Sequence, residues 1–179
     1  FYGVRELHLN CNVSALALRS IIDKCPRLVN LSLRNCSTTS WLPMDWKRID
    51  FSKILILDLS DWVADDNIIC YLLASAPNLF KLNLKCCGLK AETIAMILKT
   101  SINLQQVNLC GNPIYKSAFF ESIIQFPGRL KLICADDPPD EIKPFKVWKK
   151  YEDKLKACPF KFDNEIFSFS LFDDDDDLW

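Results

Sequence analysis

The stretch that decides the fold is residues 79–87, Leu79-Phe80-Lys81-Leu82-Asn83-Leu84-Lys85-Cys86-Cys87. Its leucines occupy the first, fourth and sixth positions, and a pair of cysteines closes it. The central Leu-x-Leu doublet, which has Val in the last copy, recurs with first members at Leu7, Leu31, Leu57, Leu82 and Val107. The steps between copies are 24, 26, 25 and 25 residues. A further apolar residue precedes each doublet by three places, at Val4, Leu28, Ile54, Leu79 and Leu104.

Five copies in register predict a stack of similar units, because one such unit cannot bury its own leucines. Each L-x-x-L-x-L segment favours a short strand whose leucines point into a shared core while the intervening residues point outward. Asn or Cys follows four of the doublets, at Cys11 and Asn12, Asn35 and Cys36, Cys86 and Cys87, and Asn112. This pattern predicts an α/β leucine-rich-repeat solenoid, with a curved parallel sheet on its concave side and helices or turns on its convex side.

The segments between the predicted strands have helical periodicity in four places, at residues 15–22, 67–73, 91–98 and 117–124. Proline follows three of these segments, at Pro26, Pro77 and Pro127. A proline there ends a helix and favours an extended chain. Asp65 and Asp66 are placed to begin a helix, where acidic side chains are favourable. Residues 37–51 have no helical period, so we expect a loop with Trp41 and Trp46 on the convex side.

The sequence divides into three regions. Residues 1–134 contain about five repeats, of which the first is incomplete. Residues 135–160 are expected to cap the exposed end of the stack, because Phe145, Trp148 and Leu155 recur at helical spacing. Residues 161–179 form an aromatic and acidic tail. The net charge of −1 is the sum of a charge of +6 on residues 1–162 and a charge of −7 on residues 163–179.

Composition excludes several classes of protein. The chain of 179 residues is 50% hydrophobic, which is enough for a packed core, and it has no apolar run of transmembrane length. No signal peptide precedes the repeats, and a start at Phe1 suggests a fragment or processed chain. The chain has nine cysteines, an odd number, and they form no paired set at its two ends. This pattern favours a location in the cytoplasm or nucleus. We expect five of the cysteines to be small interior residues: Cys11, Cys25, Cys36, Cys86 and Cys110.

Residues 4–134 resemble the cysteine-containing leucine-rich repeats of F-box proteins, the substrate receptors of cullin-type ubiquitin ligases. The resemblance rests on Cys25, Pro26, Leu28, Leu31, Leu33 and Cys36, and on the matching run at residues 76–87. It implies a protein-interaction scaffold that recognises ligase substrates, with an F-box upstream of Phe1 and a cullin-ligase adaptor bound through that absent region. The alternative is a non-ligase leucine-rich-repeat subunit or regulator of a larger intracellular complex.

Two sets of residues are candidates for partner binding. The first is the outward set of the predicted strands, which we expect on the concave face: Glu6, His8, Asn30, Ser32, Arg34, Ile56, Asp58, Ser60, Lys81, Asn83, Lys85, Gln106 and Asn108. The second is the tail, where aromatic residues precede an acidic run: Phe167, Phe169, Phe172, Asp173, Asp177, Leu178 and Trp179. The tail could be a linear binding motif, a solubilising segment, or a mask folded over the chain's own Lys81 and Lys85.

Other activities find little support in the residue pattern. His8 is the only histidine, and although Glu6 shares its strand face, no nucleophile or acid pair accompanies them. We therefore expect no enzyme activity, no cofactor and no metal. Arg34, Lys81 and Lys85 are too few to follow a phosphate backbone, so we expect no nucleic-acid partner. The lysine-rich segment at residues 143–156 is better explained as a capping helix than as a membrane-binding one.

Overall fold

A computed structural model describes residues 1–36, 49–62, 65–114, 117–125, 130–135 and 161–162. The fold is α/β and is built on a seven-stranded parallel sheet whose strands follow one another in chain order. The strands are β1 (Glu6–His8), β2 (Asn30–Ser32), β3 (Ile56–Asp58), β4 (Lys81–Asn83), β5 (Gln106–Asn108), β6 (Leu132–Cys134) and β7 (Lys161–Phe162). The predicted doublets account for β1 to β5.

The register of the sheet aligns the doublets directly. The central residues of the first six strands form one row, consisting of Leu7, Leu31, Leu57, Leu82, Val107 and Ile133. The backbone repeats the same contacts from strand to strand. The N–H groups of Phe80 and Lys81, for example, both donate to the carbonyl of Leu55, at 2.8 and 3.0 Å. The 25-residue period in the sequence is therefore the distance along the chain between neighbouring strands.

Four helices lie within the described residues: α1 (Ala15–Lys24), α2 (Asp66–Ala74), α3 (Ala91–Thr100) and α4 (Ser117–Ile124). Each begins where the sequence predicts a helix or one residue earlier, and α1 and α2 both end shortly before a proline. The Ser14 side chain caps α1 and the Asp65 side chain caps α2. All four helices contribute buried side chains to the core that contains the strand leucines.

The core is continuous along the sheet, on the face that carries the leucines. Trp62, Phe51, Phe119 and Phe120 are its largest members and are fully buried. Trp62 lies 26 residues after Cys36 and 25 residues before Cys87. It therefore occupies in its unit the position that Cys36, Cys87 and Asn112 occupy in theirs. A large indole fills this slot where the neighbouring units use small polar side chains.

One expectation from the sequence needs correction, and the sheet extends beyond the leucine doublets. Cys25 and Cys36 are buried, but Cys11 and Cys86 are exposed and Cys110 is half-buried, because they lie in turns at the edge of the sheet rather than under it. The doublets end at Val107, yet β6 continues the sheet with Leu130, Ile133 and Ala135 in the buried positions. Residues 161 and 162 belong to the sheet as β7, although the sequence placed them in the tail.

Several predicted features lie outside the described residues. These are the loop with Trp41 and Trp46, most of the cap predicted over residues 135–160, and all of the candidate tail residues from Phe167 to Trp179. None of the helices in the described part of the chain is long and apolar enough to cross a membrane.

Candidate binding face

The face of the sheet opposite the leucines carries two rows of side chains, which we call the polar face. The first residues of β1 to β5 form one row, made of Glu6, Asn30, Ile56, Lys81 and Gln106. The third residues form the other, made of His8, Ser32, Asp58, Asn83 and Asn108. The turns after the strands add a rim, defined by Arg34, Ser60, Asp61 and Lys85. The sheet thus brings together all thirteen residues that the sequence predicted for this face.

At the β1 end, the polar side chains bind one another. Oε1 of Glu6 accepts a hydrogen bond of 2.9 Å from Nδ2 of Asn30 and lies 2.7 Å from Nε2 of His8. The hydroxyl of Ser32 donates to Oδ2 of Asp58 across the next strand pair, at 3.2 Å. These contacts hold the side chains in a preformed arrangement.

Three residues of the third row also hold the turns that follow their strands. The side-chain oxygens of Asp58, Asn83 and Asn108 accept the backbone N–H two residues later, at 2.9, 3.1 and 3.1 Å. This is the local hydrogen bond that makes Asp and Asn favourable in turns. One oxygen on each of these side chains therefore serves the fold, and the second oxygen of Asp58 accepts the hydroxyl of Ser32.

The turns share a left-handed backbone that the sequence analysis did not identify. Asn35, Asp61, Cys86 and Gly111 all have positive φ, between 55° and 73°. Asn, Asp and Gly adopt this conformation most readily, so the presence of one of them three residues beyond β2, β3 and β5 was an available signal. Gly111 is required for a second reason, because a Cβ there would meet Sγ of Cys86 at 2.4 Å.

The rim carries the accessible charges. Nε of Arg34 lies 3.2 Å from Oδ2 of Asp61 in the next turn, and this ion pair is largely exposed to solvent. Lys85 is exposed in the turn beyond. Asp61 was not among the predicted site residues, since it falls outside the alternating strand positions. It neutralises part of the basic charge that the sequence assigned to this region.

Exposure divides the predicted residues into two groups. Those open to solvent, fully or in part, are Glu6, His8, Arg34, Asn83, Lys85 and Gln106. Those buried are Asn30, Ser32, Ile56, Asp58, Ser60, Lys81 and Asn108. The accessible part of the face is therefore β1, Arg34 and Lys85 on the rim, Asn83 and Gln106, whereas the remaining predicted residues of β2 to β5 and Ser60 are buried.

The described residues contain no cluster of three or more His, Cys, Asp or Glu side chains suited to a metal ion. Burial raises the pKa of the Cys87 thiol to about 12, and burial likewise raises the pKa of the Cys36 and Cys70 thiols. A thiol with a raised pKa stays protonated and is a poor nucleophile or metal ligand.

Comparison with protein-family models and with curated protein sequences gives no match.

Proposed function

We propose that this chain is a leucine-rich-repeat solenoid that binds a protein partner, and that it serves as the substrate-recognition part of an F-box-type ubiquitin ligase in the cytoplasm or nucleus. The observation that carries the proposal is the register of the sheet, which turns a 25-residue sequence period into rows of polar side chains across five strands. Stacked repeats of this kind offer extended surfaces suited to other proteins.

The accessible side chains support a protein partner. His8, Asn83 and Gln106 can donate or accept hydrogen bonds, and Arg34 and Lys85 supply positive charge at the rim. Arginine is enriched at the energetic centres of protein interfaces because its planar group forms several directed hydrogen bonds. Neighbouring strands lie about 4.8 Å apart, so five strands present a surface about 19 Å across. That width suits an extended segment or the edge of a folded domain.

The ligase assignment is supported by the cysteine-containing repeat pattern at residues 25–36 and 76–87. The structure gives this pattern a physical reason, since Cys36 and Cys87 are buried and lie in hydrogen-bonding contact with backbone carbonyls. The alternative, a non-ligase subunit of a larger assembly, uses the same polar face. The two differ in the fate of the partner, which a ligase marks for destruction and a scaffold retains.

The binding surface is tested by a double charge reversal at the rim, Arg34→Glu with Lys85→Glu. The control reverses two exposed charges in the last turns of helices on the other side of the sheet, Lys24→Glu with Lys99→Glu. The full-length gene product and both variants are purified from cells, and the co-purifying proteins are quantified by mass spectrometry. We expect some of the co-purifying proteins to be lost from the rim variant and to be retained by the control. Equal recovery with both variants would contradict a role for the rim.

The same preparations test the ligase assignment. A cullin-ligase adaptor should accompany the parent, the rim variant and the control equally, because it is bound through an F-box rather than through the polar face. The rim-dependent partners should then persist longer in cells when the gene is removed. Absence of the adaptor, with unchanged partner lifetimes, would refute the ligase and leave the non-ligase scaffold.

A further inference from the structure

The first unit of the stack has an open end. Among the described strands β1 pairs with β2 alone, so its other side is an edge of the sheet. Four apolar residues of this unit pack against the core but are only partly buried: Val4, Leu7, Leu9 and Ile22. Phe1, at the start of the same unit, is 83% exposed. Apolar surface is therefore accessible along this edge.

The same positions are buried in the units that have a neighbour on this side. The residues equivalent to Leu7 and Leu9 in β2 to β5 are at most 1% exposed, and those equivalent to Val4 are at most 2% exposed. Phe51, the equivalent of Phe1 in the unit of β3, is fully buried. The open end of the first unit is thus the surface through which every later unit contacts its neighbour.

The backbone groups that face the open edge belong to Glu6 and His8. On β2, the N–H of Asn30 and the carbonyl of Ser32 bond to β1, at 3.0 and 2.8 Å. These two residues are in register with Glu6 and His8. Because the strands share one register, the N–H and C=O groups of Glu6 and His8 point away from β2. An exposed strand edge of this kind is a template for pairing with another chain.

A second copy of the chain complements this edge when a two-fold axis normal to the sheet passes beside Leu7. The two β1 strands then run antiparallel, and Glu6 of each copy lies opposite His8 of the other. In this register the N–H and C=O groups of both residues bond across the seam. An acid opposite an imidazole is a favourable cross-strand pair, and the two side chains are accessible for it, at 30% and 59% exposure.

The same axis also covers the apolar surface. Because it is normal to the sheet, the leucine faces of both copies lie on one side, and the two α1 helices lie next to each other there. The partly buried side chains of the two first units then cover one another. A two-fold contact uses the same surface on both copies and closes on itself, so neither first unit remains open.

We propose that two copies of this chain dimerise through the open edges of β1, with Glu6 opposite His8 of the partner subunit. The two sheets join, and the polar face of each copy becomes half of one continuous surface. The inference rests on the fold and not on the proposed function. The dimer can therefore fail while the proposed function stands, or form while that function fails.

Sedimentation velocity of the 179-residue chain between about 1 and 100 μM tests the dimer. We expect the mass to rise with concentration and to level off at two chains, because the contact closes. A chain that stays monomeric over this range would overturn the proposal. A mass that passes two chains and continues to rise would indicate head-to-tail stacking and would equally overturn it.

An exchange of charges tests the antiparallel register. His8→Glu places two acids opposite each other in both symmetry-related pairs, so the dissociation constant of the dimer should rise by about tenfold. Adding Glu6→Lys to this variant restores opposite charges across the seam, and the double variant should dimerise at least as tightly as the parent. A double variant as weak as His8→Glu would refute the register.

A proline tests the backbone pairing separately. His8→Pro removes an N–H that faces the open edge and leaves the bonds between β1 and β2 in place, so the chain should stay monomeric at about 100 μM. The buried thiol of Cys36 should resist alkylation in every variant, which shows that the first two units stay folded. A folded His8→Pro variant that dimerises like the parent would contradict pairing through β1.

The control removes exposed apolar side chains from another part of the stack. Met96 and Ile102, in and just after α3, are 48% and 59% exposed. Met96→Glu with Ile102→Glu should leave the dimer unchanged. Loss of the dimer in this control, with the dimer retained in His8→Pro, would show that association occurs through the helices and would overturn the proposal.

Discussion

Three small side chains join successive units from within. Sγ of Cys36 lies 2.9 Å from the carbonyl oxygen of Cys11, and Sγ of Cys87 lies 3.0 Å from that of Leu59. Nδ2 of Asn112 donates to the carbonyl of Leu84 at 2.7 Å. Each side chain thus satisfies a carbonyl that belongs to the preceding unit, and the bonds from Cys87 and Asn112 are buried. Three units use a small donor, Cys or Asn, at this position, and Trp62 occupies it in the remaining one.

The adjacent pair Cys86 and Cys87 should differ sharply in reactivity. Cys86 is exposed in a left-handed turn, whereas Cys87 is buried and its pKa is raised to about 12. Since only the thiolate reacts, iodoacetamide at pH 8 should modify Cys86 in the native protein and Cys87 only after unfolding. Mass spectrometry of the labelled peptide distinguishes the two sites. Equal labelling in the native state would contradict the placement of Cys87 in the core.

The raised pKa of Cys87 also makes stability depend on pH. In the unfolded chain the thiol ionises near its ordinary pKa of 9.0, but in the native state it stays neutral up to about 12. Its contribution is therefore complete below pH 9 and is lost as pH rises toward 12. Urea unfolding of the parent and of Cys87→Ala should show their stability difference shrinking by about 2 kcal/mol between pH 8 and 10.5. A constant difference would contradict this.

Asn112→Ala should be costly because it leaves several buried backbone groups without partners. The Asn112 side chain accepts from the N–H of Leu89 at 3.0 Å and donates to the carbonyls of Leu84 and Leu109. We expect a loss of about 2–4 kcal/mol in the free energy of unfolding. The control is Asn103→Ala, which removes one exposed bond to the carbonyl of Pro77 and should cost less than about 1 kcal/mol. Similar losses would contradict the structural role of Asn112.

At the scale of the elements, helix capping differs between units. The Asp65 carboxylate accepts the N–H of Asn67 at 2.8 Å and caps α2, whereas Lys90 stands at the same position of α3 with no side-chain cap bond. Asp65→Ala should therefore lower the free energy of unfolding by about 1 kcal/mol, and Lys90→Ser should raise it by a similar amount. Denaturant unfolding of the two variants checks both signs. A loss of stability in Lys90→Ser would contradict the assigned start of α3.

Helices and strands were predictable to different extents. The helices follow from apolar periodicity, and α4 was placed at its observed bounds of Ser117–Ile124. Strands β1 to β5 follow from the leucine doublets, but β6 and β7 do not. In β6 the buried positions hold Ile133 and Ala135 instead of two leucines, so the pattern is weak. The two residues of β7 are too short to carry any periodicity, and only the neighbouring strand defines them.

At the scale of the whole molecule, alternation of residues along a strand predicts which side chains share a face. It does not predict how exposed each side chain is. All predicted members of the polar face are brought together, yet Ile56 and Lys81 are buried there, because exposure depends on neighbours that only the sheet register supplies. The pairing of Arg34 with Asp61 was missed for a similar reason, since it links turns 27 residues apart that only the register brings together.

The central claim is that leucines and polar residues alternate between the two faces of one parallel sheet, and adjacent residues of β4 test it most directly. Leu82 is fully buried in the core, whereas Asn83 is half-buried on the polar face and accepts the N–H of Lys85. Leu82→Asp should cost more than about 4 kcal/mol and abolish the cooperative thermal melt, because it buries an unpaired charge.

Asn83→Asp introduces the same side chain one position later and keeps the turn bond, so it should melt cooperatively within about 1 kcal/mol of the parent. The measurement is the thermal unfolding curve of both variants followed by circular dichroism. A parent-like melt for Leu82→Asp, or equal losses for the two variants, would contradict the register and with it the polar face.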